Sequence, residues 1–172
     1  SKITTESLLD GEITAAKFAT NVGGRVVQVV NVQTGAVVSG TTVMPVDNTI
    51  PQNNEGVEML TLAITPTHAS NKLLIRFFGV ASPGAGLLVA ALFQDSTAGA
   101  LAAIWNATTT DGETITLSHY MAAGTTSATT FKIRIGGTGA GTHTLNGGPN
   151  GAGNRSLGGV SASSITITEI KV

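Results

Sequence analysis

Residues 114–121 read TITLSHYM, and residues 130–135 read TFKIRI. Apolar and polar side chains alternate in both stretches, so that every second residue, starting from Ile115 in the first and Phe131 in the second, lies on one face. A period of two is the pattern of a strand with one buried face. The two stretches therefore predict half-buried strands of an antiparallel sheet.

Six further stretches are rich in apolar and β-branched residues and end in turn residues. Eight or more short strands separated by turns predict an all-β fold, an antiparallel, jelly-roll-like β-sandwich over residues 25–172. Residues 1–24 are predicted to form a connector, either coil or a short helix that begins near Thr14. The six further strands are predicted at Arg25–Thr34, Val57–Ile64, Lys72–Ala81, Leu87–Gln94, Leu101–Trp105 and Ser164–Val172.

The composition excludes several classes of partner. Charged residues make up 11% of the chain, against roughly 25% in a typical soluble domain. The nine basic residues are scattered singly, so no basic cluster is present for a nucleic acid backbone. The longest strongly apolar stretch, Gly86–Phe93, is far shorter than the roughly 20 residues that cross a bilayer. We therefore expect neither a nucleic acid partner nor membrane insertion.

Two of the predicted strands are apolar on both faces. They lie within Val26–Val32 and Leu73–Phe78. One face of each can line the sandwich core, but the other face also needs a cover, because large exposed apolar patches are rare on soluble monomers. A second subunit would supply that cover. Loops of the same chain are the alternative.

A glycine-rich segment extends from Gly136 to Gly159 and contains ten glycines in 24 positions. Glycine and asparagine in this density are typical of turns rather than of core. The segment is too long for a plain hairpin, and loops of this length are commonly functional or disordered. We predict that it forms an exposed lobe between two strands.

No motif predicts catalysis. The run Gly159–Ser163 approaches a nucleophile elbow but lacks its final glycine and its helix. The acidic residues show no spacing that singles out a glycosidase pair. His68, His119 and His143 are too far apart in sequence to form a local metal site. The sequence therefore predicts a protein that is not an enzyme, with no cofactor and no metal site within one chain. An ion on a threefold axis, held by one ligand from each subunit, is the alternative that the sequence leaves open.

Sugar binding requires an exposed aromatic ring flanked by side chains that hydrogen-bond to hydroxyl groups. Trp105 ends a predicted strand before a threonine-rich turn, and Tyr120 lies on the polar face of its strand. An equally good alternative is that Trp105 caps the core and that Tyr120 faces a subunit interface. The candidate carbohydrate-binding residues are Trp105, Asn106, Tyr120, Asn150, Asn154 and Arg155.

Several runs resemble bacteriophage tail fibre and receptor-binding C-terminal head domains. The most specific are VMPVDNTIPQNNEG at Val43–Gly56 and ITPTHASNKL at Ile64–Leu73. The connector run LLDGEITAAKFA, at Leu8–Ala19, resembles the segment that joins such heads to a fibre shaft. Other runs resemble the same head domains and occur in the same order along the chain. These other runs are ALFQD at Ala91–Asp95, AGTTSATTFKIRIGG at Ala123–Gly137 and SSITITEIKV at Ser163–Val172.

The resemblance implies a homotrimeric head at the tip of a virion fibre, which binds a bacterial surface polysaccharide, either capsule or lipopolysaccharide. The N-terminal side would join the rest of the fibre and the baseplate. A purely structural fibre component and, less readily, a capsule-modifying enzyme are the alternatives. The resemblance places specificity in variable loops, here Ala81–Gly86, Gln94–Ala100, Asn106–Gly112 and Gly136–Gly159.

Overall fold

The computed structural model describes residues 24–107, 112–148 and 154–172. The predicted connector lies outside these ranges except for Gly24. Within them the chain forms ten strands and no α-helix. The strands are β1 (Arg25–Thr34), β2 (Val38–Gly40), β3 (Val57–Ile64), β4 (Lys72–Ser82), β5 (Leu88–Gln94), β6 (Ala102–Asn106), β7 (Glu113–Ala122), β8 (Thr129–Gly137), β9 (His143–Leu145) and β10 (Ser163–Lys171).

The strands form two antiparallel sheets. Sheet 1 has the order β1-β10-β4-β9-β2, with β7 paired to the other edge of β4. Sheet 2 has the order β3-β8-β5-β6. The sheets pack face to face, and alternate residues of each strand fill the space between them. The predicted all-β antiparallel sandwich is confirmed.

The core follows the alternation that predicted the strands. Ile75 and Phe77 of β4 are buried in one hydrophobic cluster with Phe131 and Ile133 of β8 and Ile167 of β10. Each of the eight predicted strands is present, with bounds that differ by at most two residues. The strands β2 and β9 were not predicted, because three residues are too few to show a period.

The prediction of an exposed lobe over Gly136–Gly159 is wrong for its first half. Gly136 and Gly137 end β8 and are buried, and β9 is buried at every position. A Cβ on Gly137 would lie 2.4 Å from the carbonyl oxygen of Ala85, so glycine is required there by close packing. Among the described residues of the segment, Ala140, Thr142 and most of Asn154–Gly159 are exposed, and Leu157 is 80% accessible.

Candidate ligand groove around Trp105

Residues 41–56, which we call the strap, cross the outer face of sheet 2. The backbone N–H of Met44 donates to the carbonyl of Gly137 at 3.0 Å, and the N–H of Gly56 donates to the carbonyl of Val43 at 2.9 Å. The Met44 side chain is fully buried in a small second core with Val89 and Phe93. The first part of the strap is thus fixed to the sheet by backbone and side chain together.

The second part of the strap is held by the loop that follows β5. The N–H of Asn53 donates to the carbonyl of Ala98 at 2.8 Å, and the N–H of Ala100 donates to the carbonyl of Pro51 at 2.9 Å. The Arg134 guanidinium also donates to two strap carbonyls, at 2.7 and 2.8 Å. With both parts anchored, the middle of the strap has a defined position above β5 and β6.

An open groove of about 190 Å³ lies between the middle of the strap and β6. Trp105 forms part of its wall and remains 54% exposed. The Cα partner of Trp105 is Val89, whose side chain lies under the strap, so both side chains are on the outer face of sheet 2. The other lining residues are Pro45, Val46, Asp47, Thr49, Pro51, Ala103 and Ile104.

The polar groups of the groove are supplied by a turn in the strap. Oδ1 of Asp47 accepts hydrogen bonds from the Thr49 hydroxyl at 2.6 Å and from the Thr49 N–H at 2.7 Å. The hydroxyl bond and then the backbone bond lower the pKa of Asp47, so the carboxylate is charged at neutral pH. The bonds to Oδ1 also fix the orientation of the carboxylate, whose other oxygen accepts no hydrogen bond from the described residues.

An indole face beside a fixed carboxylate and a hydroxyl is suited to a sugar ring. The apolar C–H face of a pyranose can pack on the tryptophan, and its hydroxyl groups can donate to Asp47. The groove is smaller than the about 300–1,000 Å³ of pockets for drug-sized ligands. Its size therefore suits one or two sugar units of a longer chain.

The structure separates the six predicted site residues. Trp105 lies in the groove, while Asn106 follows it on the opposite face of β6 and is not part of the lining. Asn154 and Arg155 belong to the exposed end of the glycine-rich segment, where Arg155 pairs with Gly147. Asn150 lies outside the described residues. The alternative in which Trp105 caps the core is wrong, because more than half of its side chain is accessible.

Tyr120 belongs to a different surface. Tyr120 lies on the outer face of sheet 1, whereas Trp105 is in sheet 2. The strand β7, which follows Trp105 and β6 along the chain, begins at Glu113, and Tyr120 is roughly 23 Å farther along that strand. A row of Cα partners crosses four strands of that face: Val29 faces Thr168, Thr168 faces Leu74, and Leu74 faces Tyr120. The two aromatic residues therefore cannot serve one monosaccharide site.

The outer face of sheet 1 carries exposed apolar side chains among threonine, serine and arginine residues, and no residue that the structure describes covers it. Its exposed fractions are 52% for Val26, 57% for Val29, 43% for Phe78 and 55% for Tyr120. A depression of about 290 Å³ lies beside Phe78. The alternative in which loops of the same chain cover this face is therefore wrong for the described residues.

Sequence reasoning missed Asp47 and Thr49. The spacing Asp-x-Thr is a turn signal, because the first side chain can accept from the backbone two residues later. The signal predicts the local turn, but not that the turn is carried over sheet 2 to Trp105. That placement depends on long-range contacts of Met44 and Asn53.

Two further findings concern the described residues alone. They contain no group of three or more His, Cys, Asp or Glu side chains that could hold a metal ion. No helix among them has the length and hydrophobicity needed to span a membrane.

Comparisons with solved structures returned distant likenesses. The sugar-binding C-terminal domain of EclA shares 15% identity and a TM-score of 0.38, with 84% of this chain and 94% of that chain covered. The Eiger TNF of S. frugiperda shares 11% identity and a TM-score of 0.45, with coverages of 86% and 94%. The enzymatically active domain of tailspike protein 4 from bacteriophage CBA120 shares 14% identity and a TM-score of 0.29, with coverages of 71% and 19%.

Sequence comparison is more specific. No curated protein matches the chain. Residues 41–172 match the family model for the Pgp3 C-terminal domain, a range that starts with the strap and includes every strand from β3 to β10. Because the match covers more than half of the sequence, the chain belongs to the Pgp3 C-terminal domain family.

Proposed function

We propose that this domain is the trimeric, non-enzymatic tip of a bacteriophage tail fibre, which attaches the virion to a capsule or lipopolysaccharide glycan. The observation that carries the binding function is the Trp105 groove, with a half-exposed indole and the fixed carboxylate of Asp47. The tail fibre setting rests on the sequence runs that resemble fibre heads. In that setting the segment before Gly24 joins the head to the rest of the fibre and the baseplate.

The outer face of sheet 1 supports the trimer. Val29 and Tyr120 lie in one row across this face and Phe78 lies farther along β4, and all three are exposed on a domain with very few charges. Exposed apolar side chains that cluster on one face are commonly found at interfaces. The depression beside Phe78 can accept a side chain from a neighbouring copy. The stoichiometry of three follows from the resemblance to fibre heads. This leaves the Trp105 groove, on the other sheet, accessible in each copy.

A rigid head with three grooves would bind a polysaccharide with a higher overall affinity than one groove alone. A shallow groove that holds one or two sugar units binds weakly by itself. Linked sites convert later binding events into intramolecular ones, which can raise the overall affinity about 10²–10⁴-fold. A repeating surface polysaccharide presents the matching array of ligands.

The hydrogen bonds and ion pairs of the acidic residues support a function without catalysis. Asp95 accepts from Thr129 and Thr130, and Glu58 lies 3.7 Å from the Lys132 ammonium. Glu55 accepts from a strap N–H at 2.9 Å. These carboxylates act in the scaffold, and glycoside hydrolysis requires two that face one bond.

The proposal is tested by retention of the purified domain on a panel of bacterial capsules and lipopolysaccharides. We expect retention on a restricted set of glycans, with no shortening of the polysaccharide and no change in its acyl groups. Depolymerisation would contradict the non-enzymatic assignment. Failure to bind any glycan, by a domain with the mass of a trimer, would favour a purely structural fibre component.

A further inference from the structure

A second cavity, separate from the Trp105 groove, opens at one end of the sandwich. Its volume is about 410 Å³, and it lies between the start of β1, the end of β10 and the loop that precedes β4. Arg25 and Lys171 line it from the strands, and His68 and Ser70 line it from the loop. The cavity therefore combines two full positive charges with an imidazole and a hydroxyl group.

The two cations face each other. Arg25 and Lys171 are Cα partners in the β1–β10 ladder, so their side chains lie on the same side of sheet 1. Like charges in this arrangement repel each other. Neither residue has an ion pair with a carboxylate anywhere in residues 24–107, 112–148 or 154–172. An anion between them would remove the repulsion and gain two charge-assisted hydrogen bonds.

The loop side of the cavity is rigid. Glu169 is buried beneath the loop, and its carboxylate accepts hydrogen bonds from the N–H and hydroxyl groups of Thr67 and from the Asn71 amide. These bonds engage Glu169 within the scaffold. Nδ1 of His68 accepts from the N–H of Ser70 at 3.2 Å, which places the proton of the neutral ring on Nε2. The loop thus offers a fixed N–H donor opposite the two cations.

We propose that this cavity binds an anionic oxygen group, a carboxylate or a phosphate. Arg25 supplies a forked donor, Lys171 supplies a second charge, and His68 donates from the loop through its Nε2–H. The Ser70 hydroxyl holds the ring in place by donating to Nδ1 at 2.9 Å. The group can belong to an acidic sugar of a polysaccharide or to a free anion, since both present the same oxygens. The site is independent of the Trp105 groove, because the two cavities share no lining residue.

The test is an NMR titration of the full chain with inorganic phosphate, with galacturonate and with galactose as the neutral control. We expect saturable shifts of the His68 and Ser70 amide signals with both anions and none with galactose. The double variant Arg25→Ala/Lys171→Ala should weaken anion binding by at least about tenfold, since hydrogen bonds to charged groups are the strong ones. Binding by Trp105→Ala should be unchanged.

Lys72→Ala is the matched control. Lys72 is near in sequence to the loop, but its Cα partner is Ile170, on the opposite face of sheet 1 from Lys171. We expect this variant to change the affinity less than twofold. The charge-retaining variant Arg25→Lys/Lys171→Arg keeps the affinity within about threefold and separates charge from folding defects.

A polymer distinguishes the two possible sources of the anionic group, an acidic polysaccharide and a free anion. Stronger binding of polygalacturonate, per carboxylate, than of galacturonate assigns the site to an acidic polysaccharide, and equal binding assigns it to a free anion. Equal losses in Lys72→Ala and in the double variant would overturn the proposal, as would shifts that never saturate.

Discussion

The side-chain amide of Asn71 donates a hydrogen bond of 2.6 Å to Oε1 of the buried carboxylate of Glu169. The same oxygen accepts from the hydroxyl and the N–H of Thr67, each at 2.8 Å, and Oε2 accepts from the Gln28 amide at 2.9 Å. Burial by itself raises the pKa of Glu169, but the hydrogen bonds from Asn71, Thr67 and Gln28 lower it to about 2. This carboxylate therefore ties β10 to β1 and to the loop before β4.

Glu169→Gln is expected to destabilise the fold. The new amide can keep its one oxygen toward Asn71 and Thr67, but its N–H₂ group then replaces Oε2 and faces the Gln28 donor. The negative charge that strengthens the remaining hydrogen bonds is also lost. We expect the free energy of unfolding to fall by about 2–4 kcal/mol, measured by urea denaturation. Glu113→Gln is the control, since the Glu113 carboxylate has no ion pair or hydrogen bond with any side chain or backbone group of the described residues. Equal losses in both variants would contradict the assigned role.

The free energy of unfolding is expected to depend on pH because of the Glu169 carboxylate. The pKa of Glu169 is about 2 in the folded chain and 4.5 for an ordinary glutamate, the value we take for the unfolded chain. As the pH falls, the unfolded chain is therefore protonated at Glu169 before the folded chain is. The contribution of Glu169 is fully present above about pH 4.5 and is lost as the pH falls toward 2. Denaturation midpoints from pH 6 to pH 2 should decline less steeply in Glu169→Gln than in the wild type. Parallel curves would contradict the prediction.

The strap can be displaced at a glycine. A Cβ at Gly136 would lie 2.9 Å from the backbone nitrogen of Met44 and 3.1 Å from the carbonyl oxygen of Thr42. We expect Gly136→Ala to lower the free energy of unfolding by about 1–3 kcal/mol and to weaken glycan binding, because the strap supplies one wall of the groove. Gly112→Ala is the matched control, since a Cβ there meets nothing within 4 Å. Unaltered stability and binding in Gly136→Ala would show that the strap adjusts freely.

The exposed apolar side chains on the outer face of sheet 1 should control assembly. We expect light scattering coupled to size-exclusion chromatography to give a mass near three times the 17.3 kDa of one chain. Val29→Lys and Tyr120→Lys each replace an exposed apolar side chain of this face by a cation and should shift the mass toward one chain. Trp105→Lys, on sheet 2, should leave the mass unchanged. A wild-type monomer would refute the trimer.

The sequence predicted the parts of this fold that depend on local pattern. Alternation in TITLSHYM and TFKIRI located β7 and β8, and apolar residues on both faces of β4 correctly indicated an uncovered surface. Glycine content was misleading at Gly136 and Gly137, where glycine allows close packing and not an exposed turn.

Only one side of the candidate groove could be predicted from the sequence. Trp105 stood out because it is an aromatic residue at the end of a strand. Asp47 did not, since its position beside Trp105 depends on how the strap is anchored by Met44 and Asn53, far away in sequence. Local patterns do not encode such long-range placement.

The most direct test of glycan binding in the Trp105 groove is the affinity of Trp105→Ala for the glycan that retains the wild-type domain. Leu157→Ala is the matched control, because it removes another exposed apolar side chain, 80% accessible, from outside the groove. We predict that Trp105→Ala loses at least about tenfold in affinity, that Trp105→Phe recovers part of it, and that Leu157→Ala binds as the wild type does. Wild-type affinity in a folded Trp105→Ala trimer would contradict binding in this groove and place the glycan site elsewhere on the domain.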